Sequence, residues 1–166
     1  MYRIWSYFTF LIRSTNQYGI HSPFVYQYLT QCLYRKSRKR RSKLQKVLIK
    51  SISYFKYKSV QLFTDQQQYL EAVREEYPEV ETGRKPSDLV FIGGDYFEKF
   101  DFEILEQYSH NKTMILLEGI NKNRQNKEVW TDLCKKAWIP VSIDFYYGGI
   151  LFLRKEQEKQ HFRIRI

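Results

Sequence analysis

The last third of the chain contains VSIDFYYGGILFL (141–153), and this stretch decides what kind of sheet the chain forms. Two apolar runs flank Tyr147-Gly148-Gly149, a spacing typical of a tight β-hairpin. The strands of a hairpin are antiparallel, so the sheet contains at least one antiparallel strand. The next run, HFRIRI (161–166), alternates apolar and basic residues, which predicts an edge strand with one solvent-facing side.

Upstream of the hairpin, short apolar runs alternate with longer amphipathic segments. Strands are predicted over 60–63, 89–92 and 114–117, and helices over 66–77, 98–108 and 123–137. Strands that alternate with helices indicate a mainly parallel sheet with helices on its faces. We therefore predict an α/β, Rossmann-like domain over residues 58–166, with a C-terminal antiparallel hairpin.

Residues 1–57 read as a separate helical segment. One helix is predicted over 2–15, and a second starts at Ser22-Pro23, because serine caps helix starts and proline suits the first turn. The adjacent His21 and Ser22 could suggest a catalytic pair, but capping and docking of the N-terminal helices is the favoured interpretation. Leu44, Val47 and Leu48 begin a third helical pattern.

The positive charge is concentrated in this N-terminal part. Residues 1–64 contain 13 Lys or Arg and no Asp or Glu, whereas residues 65–166 carry a net charge of −3. Such asymmetry indicates a polyanionic partner, either nucleic acid or anionic lipid. Nine basic residues lie between Arg35 and Lys50. The candidate nucleic-acid contacts in this run are Arg38, Lys39, Arg40 and Arg41, and the alternative is a solvated connector.

The N-terminal apolar run and the two cysteines indicate whether the chain crosses a membrane or carries disulfides. The apolar run 4–12 is shorter than the roughly 20 residues that a membrane-spanning helix needs, so it either packs on the domain, which we favour, or lies in a membrane interface. Cys32 and Cys134 are too few and too far apart for a disulfide framework or a zinc site. We expect two buried free thiols and a cytoplasmic protein, and a homo-oligomer stays open.

Three segments resemble one bacterial family of class I S-adenosylmethionine-dependent methyltransferases. They are YGIHSPFV (18–25), DLVFIGG (88–94) and the closing stretch from VSIDF (141–145) through GILFLRKEQ (149–157) to HF (161–162). The resemblance implies a methyltransferase-type Rossmann-like fold and S-adenosylmethionine as cofactor. It also implies that acidic residues at the carboxyl ends of the strands face the substrate, as in open α/β sheets generally.

The chain departs from this family where the cofactor binds. In the family, the first strand leads into an acidic residue and a glycine-rich turn, whereas this chain reads VQLFTDQQ (60–67) and has no glycine between Ile20 and Thr82. Glycine allows the tight turn and close backbone approach that the cofactor requires. Only 24 residues separate Thr64 from Leu89, which leaves room for one helix and a short strand. We therefore predict a degenerate domain without cofactor or catalysis.

Some candidate site residues remain at the predicted strand ends. Gly93 and Glu118-Gly119 stand where the family has aspartates. If the chain is an active methyltransferase with an atypical pocket, the catalytic candidates are Asp95 and Glu118, and the cofactor-binding candidates are Thr64, Asp65, Gly93 and Gly94. Two carboxylates are few for a metal site, so no metal is expected.

Three other acidic residues have a simpler interpretation. Glu79 or Glu81 could replace the carboxylate that holds the ribose, although a charged loop explains both. Asp144 could be functional, although turn chemistry accounts for it. Three hypotheses follow: a methyltransferase-like domain with a binding or regulatory role, an active methyltransferase, and a nucleic-acid-binding module that uses the basic segment.

Overall fold

The computed structural model describes residues 2–15, 19–37 and 39–166, with the backbone alone for residues 2–6. Its helices are α1 (Tyr2–Arg13), α2 (Pro23–Tyr28), α3 (Lys43–Phe55), α4 (Gln67–Glu76) and α5 (Arg124–Lys135). A π-helical turn, Leu29–Leu33, continues α2, and a 3₁₀ helix spans Phe102–Tyr108. In the described ranges no helix has the length and apolar character needed to cross a bilayer.

In the part of the chain that the structure describes, seven strands form one mixed sheet. They are β1 (Ser59–Phe63), β2 (Glu81–Thr82), β3 (Leu89–Ile92), β4 (Met114–Glu118), β5 (Val141–Asp144), β6 (Gly148–Phe152) and β7 (Gln160–Arg163). The spatial order is β2-β1-β3-β4-β6-β5-β7. β6 runs antiparallel to both of its neighbours, and every other pair is parallel. The predicted α/β class, antiparallel hairpin and C-terminal edge strand are confirmed.

The strands bury both faces, which makes a helix–sheet–helix sandwich. On one face, Leu89, Phe91 and Leu116 join a core with α2, α3 and α4. On the other face, alternate residues such as Val90 and Ile115 pack against α5 and the 3₁₀ helix. Strands buried on both sides read as continuous apolar runs, which is why LVFI and MILL were recognisable in the sequence.

Side-chain caps fix where the helices begin. The Ser22 hydroxyl accepts a hydrogen bond from the Val25 amide at 3.3 Å, and a proline follows it, so the predicted cap is confirmed. Ser42 and Gln45 form a reciprocal capping box at the start of α3. Asn123 caps α5 through the Asn126 amide at 2.7 Å. These caps satisfy amides that have no partner within the helix.

The predicted helix 98–108 is shorter than expected. The amides of Tyr96 and Phe97 both donate to the Gly93 carbonyl, so a tight turn follows β3. Asp101 is extended and caps the next turn through the Glu103 amide. Helical structure therefore begins only at Phe102, and it is of the 3₁₀ type. The interval between β1 and β3 contains one helix and the two-residue β2, as its length predicted.

Candidate functional site

The carboxyl ends of three parallel strands meet at one edge of the sheet. In the ladder, Phe63 of β1 pairs with Ile92 of β3, and Ile92 pairs with Leu117 of β4. The residues that follow these strands therefore lie side by side. They include every residue that sequence reasoning chose as a cofactor or catalytic candidate, namely Thr64, Asp65, Gly93, Gly94, Asp95 and Glu118.

Asp95 binds the loop that leaves β1. Its Oδ1 accepts a hydrogen bond from the Thr64 hydroxyl at 2.9 Å, and its Oδ2 accepts one from the Asp65 amide at 2.7 Å. The Gln66 side-chain amide adds a longer bond of 3.4 Å to Oδ1. Burial alone would raise the pKa of the Asp95 carboxyl, but these donors outweigh it and lower the pKa. We call Asp95 and residues 64–66 the loop clamp.

Glu118 is engaged in the same way from β4. Its Oε1 accepts from the Tyr69 hydroxyl at 2.9 Å, and its Oε2 accepts from the Gly94 amide at 3.0 Å. Burial is the largest cause that raises the pKa of Tyr69, and the neighbouring Glu118 carboxylate raises it further. The Tyr69 hydroxyl is therefore protonated and is the donor of this hydrogen bond. Both candidate catalytic carboxylates therefore hold the loops together through both of their oxygens.

Gly93 lies beneath the loop clamp. A Cβ at this position would stand 2.6 Å from the Thr64 hydroxyl oxygen and 2.5 Å from Asp95 Oδ1, closer than real Cβ atoms come to such neighbours. At Gly94, in contrast, a Cβ would meet Glu118 at an ordinary 3.5 Å. The side chains of Thr64 and Asp95 thus occupy the space into which any side chain at position 93 would project.

An open cleft of about 740 Å³ lies beside the clamp. Its walls come from the start of α3 with Lys43, the loop after β4 with Lys122, and the hairpin turn with Tyr146 and Tyr147. Glu118 and Gly94 form part of it. The Lys43 ammonium lies 4.8 Å from the centre of the Tyr147 ring, and Lys122 pairs with the exposed Glu98 at 3.4 Å. The cleft has an aromatic wall and a cationic rim.

A smaller pocket of about 260 Å³ lies on the β2 side of the loop clamp. It is lined by residues of β1, by Thr64 through Gln67, by Thr82 at the end of β2 and by Gly83 after it. Gln66 lines both this pocket and the larger cleft and therefore stands between them. Because β2 ends at Thr82 and leads into Gly83, no acidic side chain follows it.

Glu79 and Glu81, which precede Thr82, are surface residues. Glu81 pairs in register with Ser59 at the amino end of β1, and its carboxylate forms an ion pair with Arg84 at 3.0 Å. Glu79 is exposed in the turn before β2. The charged-loop interpretation agrees with the position of Glu79, whereas Glu81 is an exposed residue of the strand β2.

Asp144 is bound by partners that hold the fold together. Its side chain is fully buried, with Oδ1 accepting from the Tyr146 amide at 2.8 Å and Oδ2 pairing with Lys127 at 2.9 Å. The Tyr146 bond is the turn chemistry that the sequence suggested. His21 is exposed while Ser22 caps α2. Among the residues with described positions, no three His, Cys, Asp or Glu side chains gather in a way that could hold a metal ion.

The basic candidates separate into two kinds. Lys39 and Arg41 pair with Glu75 and Glu76 of α4 at 2.5–2.9 Å, and only 10% of the Arg41 side chain is exposed. Arg40 is exposed. Arg38 lies outside the described residues. Two of the four predicted nucleic-acid contacts are therefore neutralised by carboxylates of the same chain.

Several residues at this site were missed in the sequence. Tyr69, in the first turn of α4, bonds Glu118. Lys43, Tyr146 and Tyr147 line the cleft from parts of the chain that no local motif connects. The usable signal for the hairpin residues was their place in the turn before β6. For Tyr69 and Lys43, helical spacing gives no indication that they face the strand ends.

Searches against protein-family models, curated proteins and solved structures gave no match to this chain.

Proposed function

We propose that this chain is a methyltransferase-like domain that has lost S-adenosylmethionine binding and catalysis and that acts by binding. The motifs YGIHSPFV, DLVFIGG and GILFLRKEQ support the family resemblance. A parallel sheet that ends in an antiparallel hairpin is the architecture that this resemblance implies. On this proposal the sheet, the hairpin and the outer helices persist because they build the core.

The loop clamp is the observation that carries the proposal. In the resembling family, glycines in the turn after the first strand let the backbone approach the cofactor. Here Thr64 and Asp65 fill that turn, and Asp95 holds both of them by hydrogen bonds. The clamp also fills the space above Gly93, where the family has an aspartate side chain. A ligand that ran along the strand ends from β2 to β4 would have to cross residues 64–66.

The bonding of the carboxylates supports loss of catalysis. Burial opposes the shift, but hydrogen-bond donors lower the pKa of Asp95, and a carboxylate with a lowered pKa is a weaker general base. The carboxylates of Asp95 and Glu118 are also fixed in place by hydrogen bonds from the loops and from Tyr69. Their role is to join the ends of β1, β3 and β4, and breaking these bonds would leave Tyr69 and the loop amides without partners.

Calorimetric titration with S-adenosylhomocysteine tests the proposal. We expect no heat and no shift of the unfolding temperature at ligand concentrations up to about 1 mM, which sets any dissociation constant above that value. A sharp thermal transition in the same sample verifies that the protein is folded. Saturable heat with a one-to-one stoichiometry would overturn the proposal.

The open cleft of about 740 Å³ favours one rival, an active methyltransferase with an atypical pocket. Its volume lies within the range of small-molecule sites. That rival predicts ligand heat that Gly94→Leu abolishes, because the leucine would project toward Glu118 inside the cleft. Lys135→Ala on the exposed surface of α5 is the matched control and should leave the heat unchanged.

A further inference from the structure

Among the described side chains of helix α1, those of residues 7–13, one face packs on the domain. Phe10 is 7% exposed and lies 5.5 Å from Tyr146, measured between ring centres. Phe8 and Ile12 are 58% and 83% exposed. Each lies two residues from Phe10, which is about 200° around an α-helix, so both project from the opposite side. Two successive turns of α1 therefore present large apolar side chains to solvent.

A cationic pocket adjoins the same helix. It has a volume of about 200 Å³ and brings Arg13 of α1 together with Lys127 and Arg163. Its one carboxylate, Asp144, is paired with Lys127. In the described part of the chain, neither Arg13 nor Arg163 has a carboxylate partner. The pocket therefore holds three cations against one anion, which leaves an excess positive charge beside α1.

Positive charge also lies on the other flank of α1. Tyr7 packs against Tyr146 and lies 6.4 Å from Tyr147, measured between ring centres. The Lys43 ammonium in turn stands over the Tyr147 ring. No acidic residue occurs in residues 1–64 to offset these cations. An exposed apolar face between two cationic flanks combines the two attractions that peripheral membrane helices use.

We propose that the outer face of α1 docks on an anionic phospholipid surface. Phe8 and Ile12 enter the boundary between headgroups and acyl chains, and Arg13 and Arg163 meet lipid phosphates. The proposal is independent of whether the strand-end cleft binds a cofactor. Charge complementarity selects anionic over neutral lipid, since basic residues near such a surface are attracted by its negative potential.

Two other partners fit this face less well. A nucleic-acid backbone offers no environment for Ile12, the more exposed of the two apolar side chains. A second copy of the chain would bury little, because Phe8 and Ile12 together offer a few hundred Å². A stable protein interface buries about 800 Å² on each partner.

Vesicle co-sedimentation tests the proposal directly. We expect the full chain to sediment with phosphatidylcholine vesicles that contain roughly one third phosphatidylglycerol, and to stay in the supernatant with pure phosphatidylcholine. Raising the salt from about 50 to about 500 mM should weaken binding, because the Debye length shortens. Absence of binding to the anionic vesicles at low salt would overturn the proposal.

Paired variants test the apolar and the electrostatic contributions to vesicle binding separately. Phe8→Ser/Ile12→Ser should weaken anionic-vesicle binding about tenfold or more, whereas Tyr26→Ser, which removes an exposed tyrosine from α2, should not. Arg13→Gln/Arg163→Gln should weaken it by about fivefold for each cation. Arg124→Gln/Lys135→Gln on the exposed surface of α5 is its control.

The remaining outcomes are also decisive. If a variant unfolds at a lower temperature than the parent, Ile12→Gln alone replaces it, because this side chain is mostly in solvent. Unchanged vesicle binding by that variant would refute the docking face. Self-association in sedimentation velocity that Phe8→Ser/Ile12→Ser removes, without vesicle binding, would assign the face to a second copy instead.

Discussion

Asp95 is bonded to Thr64, Asp65 and Gln66, all in the loop after the neighbouring strand. A charged acceptor bound by two short donors stabilises a loop by more than a neutral acceptor would. Because the pKa of Asp95 is lowered in the folded protein, its ionised form is the stabilising one. The contribution is complete above the unfolded-state pKa of about 3.9 and is lost as the pH falls through the lower, folded-state pKa.

Asp95→Asn should therefore lower the free energy of unfolding at neutral pH by about 1 kcal/mol, because hydrogen bonds to a charged acceptor are stronger than those to a neutral one. The asparagine keeps one oxygen for the Asp65 amide but offers a neutral acceptor in place of the carboxylate. Urea unfolding at a series of pH values measures the effect, and the gap between parent and variant should narrow below about pH 4. Asp132→Asn, an exposed residue of α5, should change little. A gap that does not depend on pH would contradict a role for the charge.

At this scale the sequence indicated where residues lie but not what they bond. Thr64, Gly93 and Glu118 follow neighbouring parallel strands, so their proximity was predictable from strand assignment alone. The orientation of the Asp95 and Glu118 carboxylates was not predictable, because it depends on where the folded loops place their hydrogen-bond donors. Tyr69, for example, reaches Glu118 across 49 positions of sequence. The predicted site residues therefore lie close together, but their hydrogen bonds join the loops at the strand ends to one another.

At the scale of elements, the segment before α3 is attached to α4. Lys39 and Arg41 together contact Glu75 and Glu76, and the Arg41 side chain is largely buried. Exposed ion pairs are usually worth under about 1 kcal/mol, but a partly buried arginine that bonds two carboxylates exceeds that. The start of α3 forms one wall of the strand-end cleft, so this attachment also holds the cleft wall.

Charge reversal should separate a structural role from nucleic-acid binding. Arg41→Glu would face Glu75 and Glu76 and should destabilise the fold by about 2–3 kcal/mol, whereas Arg40→Glu, at an exposed neighbour, should stay within about 0.5 kcal/mol. Urea unfolding measures both. A nucleic-acid-binding role would instead show in RNA affinity, with Arg40→Glu and Arg41→Glu weakening it equally. That result would revive the nucleic-acid hypothesis.

Elements were more predictable than contacts. All six predicted strands occur, because period and apolar content are local properties. Their bounds lie within two residues of those expected except at the end of β7, which stops at Arg163, three residues before the predicted Ile166. Two residues are too few to show the alternation of a strand, so β2 has almost no sequence pattern. The number of residues between Thr64 and Leu89 was the only indication of it. The segment 98–108 was predicted as a longer helix because the extended Asp101 that delays helix formation has no distinct local signature.

For the whole molecule, the N-terminal helices and the sheet share one core. Tyr28 of α2 is fully buried, bonds the Ser51 hydroxyl at 2.7 Å and lies against Met114 of β4. Phe24 and Phe55 both pack on Phe152 of β6. These contacts cross the boundary near residue 57 that the sequence suggested between a helical segment and an α/β domain. Removing residues 1–57 would leave α4 as the one helix on this face and would expose the part of the sheet that α2 and α3 cover.

We therefore expect the chain to unfold as one cooperative unit. Tyr28→Ala should cost about 3–5 kcal/mol, because it leaves a cavity between α2, α3 and β4 and strips Ser51 of a partner. The exposed Tyr26→Ala on the same helix should change stability by less than about 0.5 kcal/mol. Urea unfolding is followed by far-ultraviolet circular dichroism and by tryptophan fluorescence in a Trp5→Phe/Trp138→Phe background, which leaves Trp130, on the opposite face of the sheet, as the one tryptophan. If Tyr28→Ala shifts both signals together, the two faces unfold together. If only the helical signal shifts while Trp130 keeps its midpoint, residues 58–166 fold on their own, and the N-terminal helices are a separable layer.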